Sequence, residues 1–167
     1  MIGRIPRRRR IALAVVAAVY VAALAVVLFW PVHIDGDGGF VRFDPLLRAL
    51  AAFGIPAWAS YAFVEFAFNA ALFVPLGMLV AAAASQRPVV QRIGAAVVGG
   101  LVVSCLAELV QHVFLPQRTT DARDVLANTL GAALGAVVVV AVGHLVRRRR
   151  ASAIASAART SARCENA

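Results

Sequence analysis

The sequence predicts an all-α fold: an integral membrane four-helix bundle with a short amphipathic interfacial helix in its first external loop. Three observations carry that expectation. Of 167 residues, 62% are hydrophobic and the mean hydropathy is +0.82, more apolar surface than a soluble domain of this size can bury. Four apolar segments, Ile11 to Trp30, about Ala62 to Ala84, Ile93 to Leu115 and about Val125 to Val146, reach the roughly 17 to 25 residues that cross a bilayer. Third, all 17 basic residues are arginine and they divide unevenly between the two sides.

The arginine distribution sets the expected orientation. Arg4, Arg7 to Arg10, Arg87, Arg92, Arg147 to Arg150, Arg159 and Arg163 fall on one side, against Arg42, Arg48, Arg118 and Arg123 on the other. The positive-inside rule then makes both termini and the connector between spans two and three cytoplasmic, in a multi-pass protein of the cell membrane. The expected organisation is a basic N-terminus over residues 1–10, a transmembrane domain over 11–146 and a disordered Arg-rich tail over 147–167. The net charge of +9 reads as topology and attraction to anionic lipid headgroups. Nucleic acid is not an expected partner, since the arginine blocks flank spans and lack interleaved aromatics.

The first span reads as a retained helix rather than a secretory leader: it exceeds the usual leader core and ends in Phe29, Trp30 and Pro31 with no small-residue cleavage pattern. The external segment after it contains Asp35, Gly36, Asp37, Gly38 and Gly39, which has the look of a calcium loop but lacks the closing glutamate. From Asp44 a helix is expected, with Asp44 as cap, Pro45 in its first position and Leu46, Leu47, Leu50 and Phe53 at helical spacing until Gly54 and Pro56 stop it. Trp58 and Tyr61 are the expected interfacial anchors.

In the second span Pro75 removes a backbone donor and Gly77 loosens the same turn, so a kink is expected beside the intramembrane amide of Asn69. Either a cavity wall or a packing helix fits that pattern. The third span places Glu108, Gln111 and His112 at i, i+3 and i+4, with the Glu108 carboxylate roughly 10 Å below the outer boundary. In the fourth, Asp124, Asn128, Gly131 and Gly135 form one stripe, polar at its outer end, whose GxxxG spacing permits close approach of a neighbouring helix. Spans three and four are expected to pack through that stripe. Polar groups at such depth cost several kcal/mol unless paired or wet, so they mark the candidate site.

The run Asn69 to Gly77, the Glu108-Leu-Val-Gln111 step, and Arg118 with Asp121, Asp124, Asn128, Gly131 and Gly135 together resemble the VanZ-like membrane domain, over about Ile11 to Val146. That family takes its name from a protein associated with low-level resistance to the glycopeptide teicoplanin. The resemblance implies a bacterial cell-envelope protein, with glycopeptide resistance as an analogy. Its implied partners are membrane lipids, a lipid-linked envelope precursor or an acylated glycopeptide.

Two functions then stand open. In an enzyme or lipid-handling protein, Glu108 would be a catalytic acid or base, Arg118 and Arg123 would bind an anionic headgroup, and Asn69, Gln111, Asp121, Asp124 and Asn128 would help hold the ligand. In a structural or partner-binding protein, Glu108 would pair with Arg118 or bond Asn128 and lock spans three and four together. Pro75, Gly77, Gly131 and Gly135 are structural in both. Ser104 reads as a packing hydroxyl and Cys105 as buried and inert, so neither is an evident nucleophile. No metal or other cofactor is expected, the three histidines falling in no HExxH pattern and the two cysteines in different compartments. A channel or transporter would need more helices or an oligomer.

Overall fold

The computed structural model describes residues 7–30, 43–115 and 121–165. Along these the chain forms helices α1 (Arg7–Leu28), α2 (Asp44–Ala52), α3 (Ala57–Ala83), α4 (Val89–Phe114) and α5 (Ala122–Glu165), with no strand among the described residues. All but α2 are long and apolar enough to cross a membrane, and the chain is a multi-pass membrane protein. The segment holding His33 and Asp35 to Gly39 lies outside the described residues.

The helix ends follow from local chemistry. Helix α2 starts one residue earlier than expected: Phe43 occupies the N-cap without a side-chain bond, Asp44 sits in the first turn, and Pro is tolerated there because that turn's N–H has no intrahelical acceptor. It ends in a Schellman turn, with Gly54 at φ 80°, Gly54 N–H bonded to Ala51 O (2.9 Å) and Ile55 N–H to Leu50 O (3.3 Å). None of its residues is buried; Leu46 and Phe53 stay exposed, as suits a helix lying in the interface. At the start of α5, Asp121 is the N-cap, its Oδ1 accepting the Arg123 N–H at 2.8 Å. The tail expected to be disordered instead continues α5 to Glu165. Those 44 residues run to about 66 Å at 1.5 Å per residue, well beyond a bilayer core.

Helix α3 carries Pro75 within an uninterrupted span. Proline leaves the Ala71 carbonyl without its usual donor, and the next carbonyl, Leu72 O, accepts the Tyr20 hydroxyl from α1 at 2.7 Å. At the turn between α3 and α4, Arg92 is buried and its Nε donates to Ala81 O at 3.0 Å, serving a carbonyl in the last turn of α3.

The tightest seam joins α3 and α5. A Cβ on Gly131 would fall 2.7 Å from the Ala70 carbonyl carbon, one on Gly135 2.9 Å from Met78 N, and one on Gly77 2.6 Å from the Ala132 carbonyl carbon. The glycine stripe therefore packs on the second span and not, as the sequence suggests, on the third. The residue pairs advance together along both chains, so α3 and α5 run parallel. Helix α4 runs antiparallel to them, with Gly100 facing Ala132. Its seam is deepest among the buried Ala81, Ala96 and Ala136, with Val80, Ile93 and Val139 packed around them. Small residues permit this approach where lipid supplies no hydrophobic drive between helices. Helix α1 is peripheral, with Val15, Val16 and Val19 exposed and Leu24 buried.

Candidate functional site

At the end of the bundle where α1 and α4 finish and α3 and α5 begin, three helices each turn a polar stripe inward. Glu65 and Asn69 come from α3, Ser104, Glu108 and Gln111 from α4, and Asp124 and Asn128 from α5, all at spacings of i, i+4 or i+7. They surround a cavity of about 40 Å³ whose apolar wall includes Val27, Leu28, Phe43, Phe68 and Leu72. At about 10 to 15 Å³ per water, that holds roughly three waters. Phe43 and Phe68 meet edge to face with centroids 5.5 Å apart, so the residue preceding α2 pins that helix beside the cavity.

Three interhelical bonds build the walls. Asn69 Nδ2 donates to Asp124 Oδ1 at 2.7 Å, where the carboxylate also sits in the first turn of α5, favoured by the helix dipole. Asn128 Nδ2 donates to Ser104 Oγ at 2.8 Å, with both residues buried. Gln111 Nε2 donates to Leu28 O at 2.6 Å, capping one of the carbonyls left free at the end of α1. Asn128 is 4% exposed, and its Oδ1 is buried with no hydrogen-bond partner. An acceptor left so costs about 1 to 3 kcal/mol. Of the two partners that the structural alternative offers Glu108, Arg118 lies outside the described residues and Asn128 donates to Ser104 instead.

The residues singled out in the sequence separate into three groups. Asn69, Glu108, Gln111, Asp124 and Asn128 meet at the cavity, and Glu108 is half-buried there. Gly77, Gly131 and Gly135 belong to the helix seams below it, and Pro75 lies within α3. The remainder lie elsewhere: His112 is exposed on α4, Asp121 is exposed and serves as an N-cap, and Arg118 lies outside the described residues. Arg123 is exposed at the rim, in a crevice with Glu65, Asp121 and Asp124. Cys105, expected to be buried, is exposed.

One participant is absent from the sequence-based expectations. Glu65 lines the cavity, and the signal was present, since it stands one turn before Asn69 on the same face. Ser104 does pack between helices as expected, but it does so as the acceptor for Asn128.

No curated protein and no solved structure matches the chain. The residues that form the cavity and the glycine seams fall inside one family match, to VanZ/LLP1 over residues 17–144, and the chain belongs to that family.

Proposed function

We propose that the cavity is a ligand site that receives the polar head of a lipid-embedded molecule, an envelope lipid or a lipid-anchored glycopeptide. The carrying observation is a polar cavity bounded by Glu65, Glu108 and Asp124 in a bundle otherwise packed through alanine and glycine. Polar groups within a membrane bundle mark ligand paths and binding sites, and a molecule whose polar head enters while its tail stays in lipid fits a cavity with both polar and apolar walls. In this reading Glu108 is the group placed to hold or move a proton at the ligand head. By the arginine asymmetry, the cavity opens to the outer leaflet of the cell membrane and both termini are cytoplasmic.

A second reading rests on a specific observation. The three wall bonds, Asn69 to Asp124, Asn128 to Ser104 and Gln111 to Leu28, suit a structural lock that holds the helices without any ligand. Glu108→Gln separates the readings because it keeps shape while removing the charge and the titrating proton. In cells made dependent on this chain for glycopeptide tolerance or envelope integrity, the ligand-site reading expects a normally inserted variant that loses the phenotype. Full retention of the phenotype would favour the lock.

A further inference from the structure

The opposite end of the bundle, where α3 finishes and α4 begins, buries a charge. Arg92 is 6% exposed, and its Nε donates to Ala81 O in the last turn of α3 at 3.0 Å. That bond uses one of the guanidinium's five donors. Among the described residues the two terminal nitrogens make no hydrogen bond to the chain. Neither belongs to the fully enclosed unbonded atoms, so both open to the surroundings.

No acid is at hand. The sequence has none before Asp35, none between Glu65 and Glu108 and none between Asp124 and Glu165. Glu108 stands sixteen residues from Arg92 along α4 and Glu65 sixteen from Ala81 along α3, roughly 24 Å in each case. The C-terminal dipole of α3 offsets part of the charge at Ala81, but a buried guanidinium ordinarily also has an anion beside it.

The start of α4 points the same way. Its N-cap is Pro88, with no side-chain cap and no acid in the first turn. The N–H groups of Val89, Val90 and Gln91 precede the first intrahelical bond, Arg92 N–H to Pro88 O at 3.1 Å, and are the donors that a helix start offers an anion. Side chains on a helix lean towards its N-terminus, so Arg92 reaches back over this turn. Arg87 is exposed in the connector, and the α3–α5 register brings the exposed Arg147 level with it. A planar guanidinium beside a helix start fits the oxygens of a phosphate.

We propose that Arg92 and the first turn of α4 bind a phosphate group at this end of the bundle, apart from the cavity. The head of a membrane phospholipid and free inorganic phosphate both carry that group, and the test distinguishes them. In a phosphatidylcholine bilayer the host lipid fills the site, so other added lipids do not register there.

The full chain is held in maltoside micelles, which contain no phosphate, and offered phosphatidylglycerol, phosphatidylcholine or diacylglycerol. Bound lipid is read by native mass spectrometry. Both phospholipids should be retained at least about tenfold over diacylglycerol, the worth of one charge-assisted hydrogen bond. Arg92→Gln, which can still donate to Ala81 O, should remove the preference; Arg148→Gln, an equal loss of charge at an exposed position on α5, should keep it. If Arg92→Gln fails to fold, Gln91→Glu carries the same test. Its exposed position in the first turn of α4 favours an acid, whose carboxylate would take the phosphate's place beside Arg92. Thermal stabilisation by inorganic phosphate, lost in the same variants while the three lipids are retained alike, would assign the site to a soluble anion. A preference weakened equally by Arg92→Gln and Arg148→Gln would overturn the site in favour of diffuse surface charge. Equal retention of all three lipids with no response to phosphate would overturn it too and leave Arg92 as a helix cap.

Discussion

Replacing Gly131 by alanine should cost far more than a methyl group ordinarily does. The added Cβ would overlap the Ala70 carbonyl oxygen and lie 2.7 Å from its carbon. Carbon atoms rest about 3.5 Å apart or more, so α3 and α5 must separate by at least about 0.8 Å to clear the carbon and further to clear the oxygen, and the obstacle is backbone that no rotamer change can move aside. Overpacking of this kind costs about 1 to 3 kcal/mol, with the upper end expected here because Gly135 and Gly77 share the same seam. Alanine's higher helix propensity returns at most about 1 kcal/mol. Gly94 supplies the control, since nothing lies within 4 Å of a Cβ built there. Equilibrium unfolding in mixed micelles should show Gly131→Ala destabilised by about 1 to 3 kcal/mol and Gly94→Ala unchanged or stabilised. Equal stability of the two variants would refute the close α3–α5 seam.

Other expectations follow from single contacts. Ser104→Ala leaves the Asn128 amide without its acceptor and should cost about 1 to 3 kcal/mol, whereas Asn128→Leu removes donor and orphan acceptor together and should cost less; the reverse order in the same unfolding assay would contradict the pairing. Asp121→Ala removes the α5 N-cap and should lower stability by about 1 kcal/mol without altering the response to added ligand, because Asp121 is exposed away from the cavity. For orientation, in a background with Cys105 and Cys164 replaced, a cysteine at Thr119 should react with an impermeant thiol reagent added outside cells while one at Gln86 stays unmodified. The opposite labelling pattern would invert the topology.

The spans and polar stripes were legible in the sequence because apolar length and helical periodicity are local properties. Asn69, Glu108, Gln111, Asp124 and Asn128 do converge. Periodicity names a face of a helix but not the neighbour it meets, which is why the Gly131 and Gly135 stripe was assigned to the wrong partner. It also leaves the centre of a face ambiguous. At about 100° per residue, Gln111 and His112 flank Glu108 on opposite sides, about 100° apart, and the cavity lies on the side shared by Gln111 and Ser104. His112 and Cys105 therefore turn outward. Glu65 shares a face with Asn69 but stands only one turn from the start of the apolar run, where a carboxylate also suits the membrane interface. The Arg-rich tail reads as poor in apolar residues, yet alanine and arginine are strong helix formers, and α5 continues through it.

Stability measured against lipid composition tests the ligand-site claim most directly. A ligand that binds only the folded chain stabilises it by RT ln(1 + [L]/Kd), so the wild type in phosphatidylcholine nanodiscs should gain stability when a bacterial envelope lipid extract or an acylated glycopeptide is added. Glu108→Gln should unfold like the wild type in phosphatidylcholine and show no such gain. A Glu108→Gln variant weakened by the same amount under every condition, beside a wild type that ignores both additions, would contradict the account and make the cluster a structural lock.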